Sequence, residues 1–135
     1  MADQDVRWQQ RQQNFNRALL LLEQAVEIPE PDITQRAGII QFFEMAFELA
    51  WKMLKDYLEG QGFAGLHSPR AVLKKAFEVE LIANGDDWLQ ILQDRNLVTH
   101  TYNEEMAVAV ENLIRHVYYP LLRSLYAQMM EKSDQ

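Results

Sequence analysis

The chain has 135 residues, a formal net charge of −7, 48% hydrophobic and 24% charged residues, and no cysteine. That length suits one domain, spanning 1–135, with a sound core. The acidic balance argues against a protein that coats nucleic acid by bulk electrostatics, while leaving room for a local basic cleft. Without cysteine there is no disulfide framework and no thiolate metal site. The start Met1-Ala2-Asp3-Gln4-Asp5 is polar and acidic, unlike a signal peptide, and no apolar run approaches the roughly 20 residues of a membrane span. A cytoplasmic protein without membrane contact is expected.

Nearly the whole chain reads as helix, and the 5 Gly and 4 Pro mark the breaks. A first helix is predicted from Asp5 to Glu27. Trp8, Phe15, Leu19, Leu22 and Val26 form its apolar stripe, and Pro29 and Pro31 follow. Asp32 with Gln35 three residues on has the form of a capping box. The second helix runs from there to Glu59 and stops at Gly60 and Gly62. Its polar residues make one thin line: Gln41, Glu44, Glu48, Lys52, Lys55 and Glu59. A helix apolar around most of its girth belongs in the middle of a bundle or at an interface.

Ser68-Pro69 is a start signal for a third helix, with Val72, Leu73, Ala76 and Phe77 as its buried face. After Asn84-Gly85, Asp86 and Asp87 lead a fourth helix, their charge matched to the positive end of its dipole. A fifth starts near Asn103, with Glu104 and Glu105 in its first turn, and runs towards Glu131. Pro120 lies inside it and is expected to kink it, because the carbonyl of His116 loses its donor. Antiparallel helices with short connections make the fold an all-α, up-and-down bundle of about five helices, one that also pairs with another chain.

The segment Arg95-Asn96-Leu97-Val98-Thr99-His100-Thr101-Tyr102 departs from this pattern. Trp88, Ile91 and Leu92 define an apolar stripe on the fourth helix. At about 100° per residue, Arg95, Thr99 and Tyr102 fall on the same face, with Asn96 and His100 just beside them. Burying an unpaired arginine costs several kcal/mol. Arg95 therefore belongs either to a satisfied polar network or to a cleft. Imidazole gives and takes protons near neutrality, and guanidinium holds a phosphate or a developing phosphorane. Together they can cleave a phosphodiester without metal, the histidine moving the proton of a ribose 2′-hydroxyl or of the leaving oxygen. Five residues separate the two, about 140° on an ideal helix, so they border a broad cleft rather than share a line. A two-fold partner would bring a second copy of the pair into that cleft. The structural alternative is that Arg95 pairs with a carboxylate such as Glu48 and pins two helices, while His100 and Tyr102 simply pack and hydrogen-bond.

Arg95, Asn96, His100 and Tyr102, read as Arg-Asn-x-x-x-His-x-Tyr, resemble the signature of the HEPN superfamily. Phe47-Glu48-Leu49-Ala50-Trp51-Lys52, Leu54-Lys55-Asp56-Tyr57-Leu58, Ser68-Pro69-Arg70 with Ala76-Phe77, and Trp88 through Asn103-Glu104-Glu105 are similar to one branch of it. That branch is the nucleotidyltransferase substrate-binding proteins, and the likeness extends from about Phe15 to Leu122. The resemblance implies a bundle that dimerises so that two motifs line a shared groove. It also implies a separate minimal nucleotidyltransferase as partner. In relatives with RNase activity, the toxin half of a toxin–antitoxin pair, the matching catalytic positions are Arg95 and His100, with Asn96 assisting. In some pairs the nucleotidyltransferase moves AMP onto the tyrosine matching Tyr102. Other members are non-catalytic subunits that present a nucleotide or other substrate. A plain interaction module is a third reading.

Arg115, Tyr119, Arg123 and Tyr126 fall on one helical line, a basic and aromatic surface suited to RNA or the partner. The alternative is a solvated face with two tyrosines against a neighbour. His67 and His116 lack metal-ligand spacing. There is no Gly-rich phosphate loop, no paired-carboxylate cluster and no Gly-x-Ser-x-Gly, so neither metal nor cofactor is expected. The nucleotidyltransferase chemistry itself would reside in the partner.

Overall fold

The computed structural model describes residues 2–100 and 103–133, and the side chains of 6–95 and 103–133. Among the described residues the chain is a bundle of helices without strands. These are α1 (Ala2–Val26), α2 (Ile33–Gly60), α3 (Pro69–Glu78), α4 (Gly85–His100), α5 (Glu104–Leu113) and α6 (Tyr119–Ser133), with a π-helical turn, Ile114–Tyr118, joining the last two.

Local chemistry sets the boundaries. Asp32 Oδ1 accepts from the Gln35 amide at 2.8 Å, and the Gln35 side chain accepts from the Asp32 amide at 3.0 Å, so the predicted capping box closes. Ser68 caps α3 through the Ala71 amide at 3.1 Å, with Pro69 in the first turn. Asn103 caps α5 through the Met106 amide at 3.1 Å.

The core sits around α2. Phe15, Leu19 and Leu22 of α1, Phe43, Phe47, Met53 and Leu54 of α2, and Trp88 and Ile91 of α4 are closed to solvent, together with Ile114, Tyr118 and Leu122. Each such side chain contributes about 1.5–3 kcal/mol by leaving water. Phe43 stacks on Tyr118 with centroids 5.5 Å apart, and Phe47 lies 6.5 Å from Trp88. These contacts tie the middle of α2 to both α4 and the π-helical turn.

One expectation needs correction, and a second takes a specific form. Phe77 does not join the buried face of α3; it is 52% exposed. Val72, Leu73 and Ala76 already fill the inward arc. Phe77 lies about 40° beyond the Leu73 edge of that arc, and its ring covers the backbone of Gly85, where a Cβ would meet it at 3.0 Å. The second concerns Pro120. The helix widens into a π turn just before the proline, and the Tyr119 amide donates to Ile114 rather than to the carbonyl four residues back. Helical structure then continues from Glu104 to Ser133. The disturbance that a proline causes is thus seen as a wider turn just upstream of it.

Candidate functional site

Arg95 emerges on α4 at the edge of the apolar stripe, with 30% of its side chain exposed. Its guanidinium meets Glu48 Oε1 of α2 at 2.5 Å and lies over the Phe47 ring, 6.0 Å from the centroid. The other oxygen of Glu48 accepts from the Trp51 indole N–H at 3.1 Å, and Lys52 stands 3.7 Å from it. Beside this pair is an open depression of about 490 Å³, lined by Gln41, Glu44, Met45, Glu48, Leu49 and Arg95. The arginine therefore takes part in a polar network and borders a cleft, the two possibilities that its sequence position left open.

The residue one step earlier anchors the helix. Asp94 is 7% exposed; it accepts a short hydrogen bond from the Tyr118 hydroxyl, and a second from Gln90 Nε2 at 3.2 Å. Burial pushes the Tyr118 hydroxyl well above the ordinary phenol range, and the bond to Asp94 pushes it the same way. The phenol stays neutral and donates.

α5, which follows the motif, is also fastened to α2. Arg36 pairs with Glu104, two residues after Tyr102, and with Glu111 at 2.8 Å. Arg36 and Glu48 are twelve residues apart on one helix, about 18 Å at 1.5 Å per residue. The two ion pairs to α2, Arg95 with Glu48 and Glu104 with Arg36, thus flank residues 96–103 in sequence. Asn96 and His100 belong to α4, while their side chains, and Tyr102 as a whole, lie outside the described residues.

Glu111 completes this lower network. It is 6% exposed and takes Arg36 on one oxygen and Arg115 on the other, the latter at 2.7 Å. Burial alone would raise its pKa; the hydrogen bonds and charges of Arg36 and Arg115 outweigh burial and hold it below the usual carboxylate range. Arg36 is raised in turn, first by its bond to Glu111.

The line Arg115, Tyr119, Arg123 and Tyr126 packs against α1. Arg115 donates to the carbonyls of Val26 and Ile28, closing the end of α1. Arg123 pairs with Glu23 at 3.1 Å and lies 5.9 Å from the Tyr126 ring centroid. Tyr119 is partly buried, and burial raises its hydroxyl pKa despite Arg123 nearby. Arg115 and Arg123 are thus both engaged with the neighbouring helix. Among the described residues there is no group of three or more His, Asp or Glu side chains that could hold a metal, and no helix long and apolar enough to cross a membrane.

Sequence reasoning missed the three buried carboxylates, Asp56, Asp94 and Glu111. Each falls three or four residues from a buried apolar neighbour: Met53, Ile91 and Ala107. That spacing was the available signal.

A helical bundle with Arg-Asn-x-x-x-His at the end of its fourth helix has the make-up of the HEPN class. Residues 10–131 match the family described as nucleotidyltransferase substrate binding protein like, and the chain belongs to that family. It is 34% identical over 88 residues to the probable ribonuclease HepT of Haemophilus influenzae, a match spanning 60% of each chain. The match thus covers less than two thirds of that relative's length. A crystal structure of a Thermus thermophilus protein is similar with a TM-score of 0.73 and 32% identity, covering 90% of this chain and 99% of the other.

Proposed function

We propose that this single-domain protein is the HEPN-type partner of a minimal nucleotidyltransferase, and that it acts in the cytoplasm as a metal-independent RNase, the toxin half of a toxin–antitoxin pair. The observation that carries the reading is Arg95, a partly exposed guanidinium at the rim of an open depression, five residues before His100 in the same helix. Arg95 holds the scissile phosphate with Asn96 beside it. His100 takes the proton from a ribose 2′-hydroxyl, whose oxygen then attacks phosphorus; the bond from phosphorus to the 5′-oxygen breaks, that oxygen takes a proton from water, and the imidazolium returns its own to solvent. Two copies of the chain pair so that both motifs line one groove. AMP transfer to Tyr102 fills that groove and sets negative charge against Arg95, which silences the enzyme. Kinship with a protein named a probable ribonuclease supports the same reading.

One observation favours a second reading, a non-catalytic subunit that presents a nucleotide. Glu44 and Glu48 line the depression next to Arg95, a setting less hospitable to a long polyanion than to a small ligand. The two readings separate on His100→Ala. As an RNase, the protein loses RNA cleavage and growth arrest with this variant. As a presenting subunit, it keeps nucleotide affinity with His100→Ala and loses it with Arg95→Ala. Intact RNA after incubation with nuclease-free wild-type protein would overturn the RNase reading.

A further inference from the structure

We infer that Glu48 is a positioning residue for the proposed cleavage site: it aims the Arg95 guanidinium and sets how strongly the site attracts phosphate. The inference rests on the RNase reading above. Three features support it.

The first is reach. A long arginine side chain on a half-exposed helix face has many rotamers, and holding it in one costs entropy. Glu48 Oε1 at 2.5 Å removes that freedom, and the Phe47 ring supports the same guanidinium from below. The second is that Glu48 is itself held. Its other oxygen accepts from the Trp51 indole at 3.1 Å, which restrains the carboxylate. Trp51, Glu48 and Arg95 form a chain in which each group orients the next. The third is place. Glu48 and Arg95 both line the open depression, so the carboxylate stands where an incoming phosphate would approach. A purely structural strut between α2 and α4 does not require a position at the mouth of a cleft.

This placement has two opposing consequences. The carboxylate preorganises Arg95 for the transition state, which raises kcat. It also repels the substrate phosphate, which raises KM. Replacing Glu48 should therefore move the two constants in a way that loss of a strut would not.

The test is steady-state cleavage of a short fluorogenic RNA in excess chelator by wild type, Glu48→Gln, Glu48→Asp and Trp51→Phe, each scaled to folded protein by circular dichroism. Glu78→Gln removes the same charge from the exposed Lys75 pair on α3 and serves as the control for net charge. Glu48→Gln should lower kcat by about 10- to 100-fold while KM falls or stays level. Glu48→Asp should recover part of kcat and restore the wild-type KM, and Trp51→Phe should lower kcat by less than Glu48→Gln. Glu78→Gln should leave both constants alone. A wild type that cuts RNA, with Glu48→Gln cutting at the same kcat per folded molecule, would overturn the inference and leave the RNase reading standing. A wild type that cuts nothing would overturn both.

Discussion

Removing one oxygen atom from Tyr118 tests how α4 is held. Tyr118→Phe keeps the ring, and with it the stack on Phe43 at 5.5 Å. It deletes the donor to Asp94, which is 7% exposed and keeps only Gln90 at 3.2 Å among the hydrogen bonds described for it. A buried acceptor stripped of a partner costs about 1–3 kcal/mol. Unfolding entropy of about 2.1 cal/mol/K per residue makes each kcal/mol worth about 3.5 °C for a domain of this size. Tyr118→Phe should therefore lower Tm by about 4–10 °C in differential scanning calorimetry at pH 7.

The same residue gives a second readout. The folded-state pKa of Tyr118 lies above the ordinary value of 10.0, through burial first and the Asp94 bond second. Its contribution is fully present below pH 10 and declines as pH rises towards the folded pKa, because the unfolded state ionises first. The slope is up to about 1.4 kcal/mol per pH unit. Between pH 10 and 11.5 wild type should lose stability faster than Tyr118→Phe in urea titrations. A variant within about 0.5 kcal/mol of wild type at pH 7, with a parallel alkaline slope, would refute the buried bond as an anchor.

Glu111→Gln should cost about 3 kcal/mol at neutral pH, since it leaves two mostly buried guanidinium groups facing a neutral amide. It should also flatten the acid limb: the depressed pKa of Glu111 means that its contribution is present above about pH 4.3 and lost as pH falls below that. Equal acid limbs in urea titrations of the two proteins would contradict the network. Co-expression with the nucleotidyltransferase should add adenylate in whole steps to Tyr102, seen by intact-mass and peptide mass spectrometry, and Tyr102→Phe should stay unmodified and toxic; an unmodified wild type beside an active partner would remove that role. If the groove joins Arg95 of one copy to His100 of the other, mixing inactive Arg95→Ala and inactive His100→Ala chains should restore part of the cleavage, up to about half in each mixed dimer by the symmetry of the pair. No recovery after verified subunit exchange would mean that each site lies within one chain.

The parts of this fold legible in the sequence are those decided within a turn or two of chain. Asp32 with Gln35, Ser68 with Pro69, and Asn103 each satisfy backbone amides a few residues away, so residue type and spacing suffice. The apolar stripe of α1 was legible for the same reason. What escaped was decided by distant partners. Phe77 fits a buried face by spacing, yet α3 is ten residues long and its inward arc is already full. Asp94 and Glu111 stand at apolar spacing, but the partners that make their burial tolerable, Tyr118, Arg36 and Arg115, are brought alongside only by the fold. Pro120 announced a disturbance, but its form, a π turn before the proline in which Tyr118 stacks on Phe43 and donates to Asp94, was not legible from residue type. At the site, Arg95 stood out as a charge on an apolar stripe, and Glu48 was a plausible partner on the thin polar line of α2. The second hold on Glu48, from Trp51, was not anticipated.

The chemistry assigned to Arg95 and His100 is tested most directly by the ends that cleavage leaves behind. Purified protein is incubated with a defined RNA in excess EDTA, and the fragments are weighed by mass spectrometry. Attack by the 2′-hydroxyl predicts fragments ending in a 2′,3′-cyclic phosphate, paired with 5′-hydroxyl ends, and none of either with His100→Ala. Uncut RNA, or cleavage that persists in His100→Ala or leaves 5′-phosphate ends, would contradict it.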